Sequence, residues 1–226
     1  MDVQHINVKI FAETAAVDLA YAIPVFHRWI QASLCEELLI DVADYRHVPS
    51  GPGVIVVGHE ANYSLDWGPA NRLGLLYNRK APLEGTTQDK LLQAFYTALR
   101  ACGRLEEEPP FQGKLRFHAG SCEVVLNDRM LAPNTEETWL ALKPEFETFF
   151  ASLFPPHGYT LERASEPRER FSVRVSTPAF IDVRYGLSCL SKNLSSVSFF
   201  RSRPNHSGSP VSRLLTTVRN FCFFPR

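Results

Sequence analysis

The stretch Val54-Ile55-Val56-Val57 decides the fold class of this 226-residue chain. It follows the turn-forming segment Ser50-Gly51-Pro52-Gly53 and precedes the polar residues Gly58-His59-Glu60. β-branched residues favour strands because they pack well on a pleated surface. An apolar run without alternation is typical of a central strand that is covered on both faces. We therefore expect a sheet that has Val54–Val57 near its centre.

Other segments around this stretch also have the patterns of strands. Ile6–Phe11 alternates apolar and polar residues, which predicts a half-buried strand. Leu73–Tyr77 is expected to pair with the strand before it as a hairpin, and a second hairpin is expected to turn at Gly120. The remaining predicted strands are Leu38–Val42, Lys114–His118, Cys122–Leu126, Tyr159–Arg163 and Phe171–Val175.

Three helices are predicted between these strands. Helical spacing extends from Val17 to about Leu38, and Pro24 inside it predicts a short turn followed by a new helix that has this proline near its start. Thr86-Thr87-Gln88-Asp89 resembles a capping box and opens the second helix. Asn134-Thr135-Glu136-Glu137 opens the third helix, which Pro144 interrupts.

The order of these elements predicts the fold class. Hairpins outnumber strand–helix–strand crossovers, which favours an α+β protein. We expect a mostly antiparallel sheet of about seven to eight strands with three helices packed on it, and a mixed sheet is the alternative.

The distribution of charge divides the chain at residue 183. Residues 1–183 carry 24 acidic and 17 basic side chains, a formal charge of −7, whereas residues 184–226 carry seven basic and no acidic side chains. The second part is rich in serine and phenylalanine and shows no sustained helical or strand period. We predict one globular domain over 1–183 and a basic tail over 184–226 that lies outside the fold. An alternative hypothesis makes the tail a tether to anionic membrane or RNA.

Bulk composition excludes several classes of protein. Hydrophobic content of 45% and charged content of 21% are ordinary for a soluble globular protein. The charge of −7 on residues 1–183 argues against nucleic acid binding by this part. No apolar run is long enough for a transmembrane helix, and the N-terminus lacks the pattern of a signal peptide. Five widely spaced cysteines without a CxxC pair predict reduced thiols in a cytoplasmic protein.

Two polar clusters, Asp41–His47 and Gly58–Asp66, directly follow predicted strands. Functional side chains are often held at such positions. If their strands are neighbours, Asp44 or His47 from the first cluster can approach His59 from the second. A carboxylate beside an imidazole is the minimal general-base unit, and Ser64 or Tyr63 is then the candidate nucleophile. The predicted catalytic residues are therefore His59, Asp44 and His47. The predicted ligand-binding residues are Glu60, Asn62, Tyr63, Ser64, Asp66 and Trp67.

Several motifs are missing from the sequence. His59-Glu60-Ala61-Asn62-Tyr63 begins like the zinc-protease signature HExxH but has tyrosine in place of the second histidine. The sequence contains no phosphate-binding loop, no dinucleotide fingerprint and no nucleophile elbow. We therefore predict no cofactor and no metal site.

The favoured hypothesis is a binding or interaction module for a small molecule or a protein partner, with its ligand surface around Asp44–His47 and His59–Asp66. Exposed sheet edges make a homo-oligomer natural. The alternative is a hydrolase that uses the Asp/His group at the same loops.

Overall fold

The computed structural model describes residues 3–49, 51–68, 71–154, 158–166 and 168–192. Within these ranges the chain forms eight strands, four α-helices and a short 3-10 helix at Leu19–Tyr21. The strands are β1 (Ile6–Ala15), β2 (Leu39–Tyr45), β3 (Gly53–Gly58), β4 (Ala61–Asp66), β5 (Gly74–Arg79), β6 (Leu115–Leu126), β7 (Thr160–Arg163) and β8 (Ser172–Ser176). The helices are α1 (Ala22–Gln31), α2 (Thr87–Glu107), α3 (Glu136–Leu153) and α4 (Val183–Ser191).

The strands form one sheet in the order β2-β3-β4-β5-β1-β6-β8-β7. Each of the seven neighbouring pairs is antiparallel. The predicted α+β class with an antiparallel sheet is confirmed, and the mixed alternative is not observed in the described part of the chain. The first strand, β1, lies between β5 and β6, so its second neighbour is added only after the chain has passed through α2.

The helices pack on one face of the sheet. Gln93 of α2 donates a hydrogen bond to the Tyr77 hydroxyl of β5, and Trp29 of α1 donates one to Glu108 at the end of α2. Phe95 of α2 contacts the rings of Phe149 and Phe150 on α3, with ring centroids 5.0 and 5.3 Å apart. This aromatic cluster joins α2 and α3 above the sheet.

The expectation that Val54–Val57 is covered on both faces is wrong. Val54 and Val56 are fully buried under the helices, but Ile55 and Val57 point to the other face and are only half-buried. An antiparallel sheet does not require helices on both faces, unlike a parallel sheet built from crossovers. The strand is also second from the sheet edge and not central.

A strand that the sequence patterns did not predict, β4, lies between β3 and β5. Its alternation places Tyr63 and Leu65 under the helices, whereas Asn62, Ser64 and Asp66 lie on the opposite face. The three polar side chains led to the prediction of a loop. As a result, Leu73–Tyr77 does not pair with Val54–Val57 as expected, because β4 separates β5 from β3.

The predicted hairpin about Gly120 is a single strand, β6. Gly120 has a different structural role from a turn. A Cβ atom at this position would lie 2.1 Å from the Thr177 hydroxyl oxygen, so glycine permits a close approach of the chain after β8. The register of the pairing between β6 and β1 shifts between Ile10 and Thr14. Such a shift marks a β-bulge or a similar irregularity of the strand pair.

The fourth helix, α4, crosses the predicted domain boundary at residue 183. Asp182 caps its N-terminus by accepting a hydrogen bond from the Arg184 amide, and Gly186, Cys189 and Leu190 are buried. The first residues of the predicted tail thus form a helix with buried side chains, which the charge pattern does not indicate because it carries no information on packing. The rest of the predicted tail, residues 193–226, and with it the tether hypothesis, lies outside the described residues.

Within the described ranges, no helix combines the length and the apolar character that a membrane crossing requires.

Candidate functional site: a cleft at one end of the sheet

The predicted Asp44–His59 group is not assembled in this structure. In the β2–β3 hairpin Asp44 lies opposite Val54, whereas His59 follows Gly58 at the other end of β3. The five residue-to-residue steps from Val54 to His59 span about 16 Å of extended strand. Neighbouring antiparallel strands bring the end of one beside the start of the next, so the two polar clusters lie at opposite ends of the hairpin.

The residues at the β3–β4 turn have local partners. The His59 side chain is 72% exposed, and its Nδ1 lies 3.7 Å from Glu60 Oε1. Asn62 Oδ1 accepts a hydrogen bond from the Gly58 amide. His47, at the far end, stacks on Tyr45 with ring centroids 6.4 Å apart.

The two candidate nucleophiles are buried. Tyr63 donates a hydrogen bond of 2.5 Å to Glu37, and burial raises the pKa of its hydroxyl well above the ordinary value. Ser64 donates to Asp66 Oδ2 at 3.0 Å. No histidine of the described ranges is a hydrogen-bond partner of either hydroxyl, so those residues do not arrange either one for nucleophilic attack.

A cleft of about 520 Å³ forms where the β2–β3 turn, the β4–β5 turn and the loop after β1 meet. Tyr45 and Trp67, which are 42% and 39% exposed, contribute aromatic surface to its walls. Leu19 and Val48 add apolar surface, and Arg46 adds a charge. Its volume falls within the range of about 300–1,000 Å³ that is typical of small-molecule sites. The Asp44–His47 cluster thus meets the Asp66–Trp67 segment, and not His59.

Arg46 ties two of the three segments together. Its Nε and Nη2 donate to the two carboxylate oxygens of Asp44 at 2.9 and 2.8 Å, and its Nη1 lies 3.6 Å from Asp18. Asp18 also caps the 3-10 helix by accepting from the Ala20 amide. A bidentate guanidinium–carboxylate pair fixes orientation as well as distance. Arg46 therefore holds the β2–β3 turn against the loop after β1.

The hydrogen bonds from Arg46 lower the pKa of Asp44 from 3.8 to about 2. A carboxylate with so low a pKa is a poor general base at neutral pH, since it binds a proton weakly. This electrostatic environment is a second reason why Asp44 does not suit the predicted catalytic role.

The titration of Asp44 provides a direct test of this clamp. A depressed folded-state pKa means that the pair is intact above about pH 4 and is lost as the pH falls through about 2. We expect the Asp44 carboxyl carbon to titrate near 2 by NMR, and Arg46→Gln to move the midpoint towards 3.8. Arg174→Gln, a distant and exposed control, should leave it unchanged. An equal midpoint in the native protein and Arg46→Gln would refute the clamp.

A buried ion pair lies directly behind one wall of the cleft. Lys9 Nζ donates to Asp66 Oδ1 at 2.5 Å, and both side chains are buried. Gly68 in the cleft wall adopts a φ of +57°, and a Cβ atom there would lie 2.8 Å from Lys9 Nζ. Glycine thus permits both the backbone conformation and the close approach of the ammonium group.

Some of the residues at this cleft are among the predicted site residues, and others are not. Asp66 and Trp67 were predicted as ligand-binding residues, and both lie at the cleft or beside it. Tyr45 and Arg46 are not among them, although both lie between the predicted residues Asp44 and His47. Lys9 occupies an ordinary polar position of an alternating strand, and nothing in its neighbourhood along the chain distinguishes it.

The charged side chains at and behind the cleft are paired with one another. Asp18 and Arg46 line the cleft, Asp44 is paired with Arg46, and Lys9 and Asp66 form the buried pair behind the wall. In the part of the chain that the structure describes, no three His, Cys, Asp or Glu side chains are grouped to hold a metal ion.

Comparison of the chain with models of protein families, with curated proteins and with solved structures finds no match. Its function must therefore be inferred from the geometry of the molecule.

Proposed function

We propose that this protein is a binding module that takes a small molecule into the cleft between Tyr45 and Trp67. The observation that carries the proposal is the cleft itself, a concave volume of about 520 Å³ with two partly exposed aromatic side chains. Binding sites are commonly apolar concavities with a few polar groups that fix orientation. Exposed large aromatic residues are also frequent anchors for ligands.

The charges around the cleft narrow the ligand class. The two charged residues of the lining, Asp18 and Arg46, balance each other, so the cleft offers an anion no excess positive charge. The aromatic side chains favour a ligand with a flat apolar part. The expected ligand is an uncharged or cationic molecule with an aromatic or similarly flat group. The hydrolase alternative lacks geometric support, because Asp44 and His59 lie at opposite ends of their hairpin.

A ligand screen on the full chain tests the proposal. Ligands that bind only the folded state raise the melting temperature, so a thermal-shift screen of metabolites that include aromatic amines should yield hits. These hits should also change the tryptophan fluorescence, since Trp67 is exposed whereas Trp29 is fully buried. Trp67→Ala is expected to weaken binding at least about tenfold, as aromatic anchors commonly contribute 2 kcal/mol or more.

Leu140→Ala is the matched control for this screen, because Leu140 is a large exposed apolar side chain on α3, away from the cleft. It should bind each hit as tightly as the native protein does. If the hits bind Trp67→Ala and the native protein equally well, the cleft is not their site and the proposal fails.

The proposal includes two further points, a cytoplasmic location and self-association of the chain. An odd number of widely spaced cysteines suits a reducing compartment. The edge strands β2 and β7 leave backbone groups that could pair with a second copy. Light scattering coupled to size exclusion tests the second point, and a monomer at every concentration would contradict it.

A further inference from the structure

A second cavity lies away from the cleft and shares no lining residue with it. Its volume is about 20 Å³, and it lies between the loop that joins α1 to β2 and the C-terminal half of α2. Cys35 and Glu36 line it from the loop, Arg100 and Arg104 from α2, and Tyr63 from β4. A volume of about 10–15 Å³ is enough for one water molecule, so this cavity can hold one small ion or one ligand oxygen.

Arg104 provides the unusual feature of this cavity. Its Nη1 atom is buried and has no hydrogen-bond partner in the part of the chain that the structure describes. Among the described residues, its guanidinium forms no ion pair within 4 Å. Buried polar atoms without a partner are rare, and each one calls for an explanation such as an absent ion or water.

The acidic side chains nearest along α2 and in the loop already have cationic partners. Glu108, one turn after Arg104, accepts hydrogen bonds from Arg28 and Trp29. Glu107 pairs with Arg184 at 3.2 Å. Glu36 pairs with Arg100 at 2.6 Å. None of these three carboxylates forms an ion pair with Arg104.

The thiol and the phenol that line the cavity carry no negative charge. Burial raises the pKa of the Cys35 thiol to about 12, and it also raises the pKa of the Tyr63 hydroxyl, so both stay neutral at physiological pH. The Glu37 carboxylate is hydrogen-bonded to the Tyr63 and Tyr77 hydroxyls and is not part of the cavity lining. The cavity lining then carries two guanidinium groups and one carboxylate, an excess of one positive charge.

We propose that this cavity is an anion-binding site in which Arg104 Nη1 donates a hydrogen bond to a halide ion or to one oxygen of a phosphate or carboxylate group. A partly buried cation without a counter-charge is unfavourable, and an anion would remove that cost. A guanidinium stays protonated at neutral pH and is the side chain best suited to bind oxyanions. The site is independent of the ligand proposed for the cleft.

The unmodified full chain provides the first test. Crystals grown without chloride and then soaked in sodium bromide should show an anomalous peak within hydrogen-bond distance of Arg104 Nη1. Bromide scatters anomalously at its absorption edge, so it is distinguished from water in the same position. A water molecule at this point with no anomalous signal would overturn the proposal.

Solution measurements give the second test. At constant ionic strength, chloride, bromide or inorganic phosphate should raise the melting temperature in a concentration-dependent way. Arg104→Gln should weaken the binding of the effective anion about tenfold, because it removes a charged donor. Arg184→Gln removes an exposed arginine from α4 and should leave that binding unchanged. Equal responses from both variants would count against the site.

Comparing the three anions also distinguishes a free bound ion from the anionic group of a larger ligand. A response to halides and not to phosphate indicates a bound ion, whereas a stronger response to phosphate indicates the anionic group of a larger ligand seated at the opening. The bromide crystals keep the proposal testable even if Arg104→Gln does not fold. The absence of any response from all three anions would contradict it.

Discussion

Lys9→Met is expected to lower the free energy of unfolding by about 3–5 kcal/mol. The substitution keeps most of the side-chain volume but leaves the Asp66 carboxylate buried without its cation. Ser64 is then its only remaining side-chain donor among the described residues. Equilibrium unfolding in urea measures the change. The same variant should alter the cleft wall at Gly68, which lies against the ammonium group in the native protein.

Two further variants show whether the pair itself is responsible. Lys143→Met removes an exposed cation that lies 3.6 Å from Glu147 on α3, and it should cost less than about 1 kcal/mol. The double variant Lys9→Met/Asp66→Leu removes both buried charges and should recover most of the loss, because apolar pairs often replace buried ion pairs without penalty. If Lys9→Met is as mild as Lys143→Met, the pair contributes little to stability.

Glu37→Leu is the second substitution with a large expected effect. The Glu37 carboxylate accepts hydrogen bonds from the hydroxyls of Tyr63 at 2.5 Å and Tyr77 at 3.0 Å, and all three side chains are buried. Leucine leaves both hydroxyls without this acceptor. Each buried hydroxyl without an acceptor lowers the free energy of unfolding by about 1–3 kcal/mol, and the substitution creates two of them. The Tyr77 hydroxyl still accepts a hydrogen bond from Gln93.

Variants of the same three residues separate lost hydrogen bonds from lost packing. Glu37→Gln keeps one acceptor oxygen and should be less destabilising than Glu37→Leu. The triple variant Glu37→Leu/Tyr63→Phe/Tyr77→Phe removes the stranded hydroxyls together with the carboxylate, so it should be more stable than Glu37→Leu alone. A triple variant that is less stable than Glu37→Leu would show that unsatisfied hydroxyls are not the cause.

Patterns that depend on neighbouring residues were interpreted correctly in most places. The Thr86–Asp89 capping box is present, with both of its reciprocal hydrogen bonds. Thr135 caps α3, and Pro24 lies near the start of α1 as expected. These features are encoded within a few residues, because a cap or a proline acts on the turn that contains it. The expectation that Pro144 interrupts the third helix is wrong, because α3 continues through it from Glu136 to Leu153.

Patterns that depend on distant contacts were misinterpreted. The polar residues Asn62, Ser64 and Asp66 suggested a loop, but they lie on the sheet face opposite the helices, and Asp66 has its cation 57 residues away on β1. Gly120 suggested a turn, yet it accommodates Thr177 from another part of the chain. No feature close to these residues in sequence reveals such partners.

The α+β class, the caps and the strand-forming segments follow from periodicity and propensity, which act over a few residues. The functional geometry follows from strand order and register. These separate His59 from Asp44, bring Arg46 near Trp67, and bury Lys9 beside Asp66. The pairing and register of strands depend on which side chains the whole sheet buries. The loops that form the candidate site are therefore brought together only by the complete strand order.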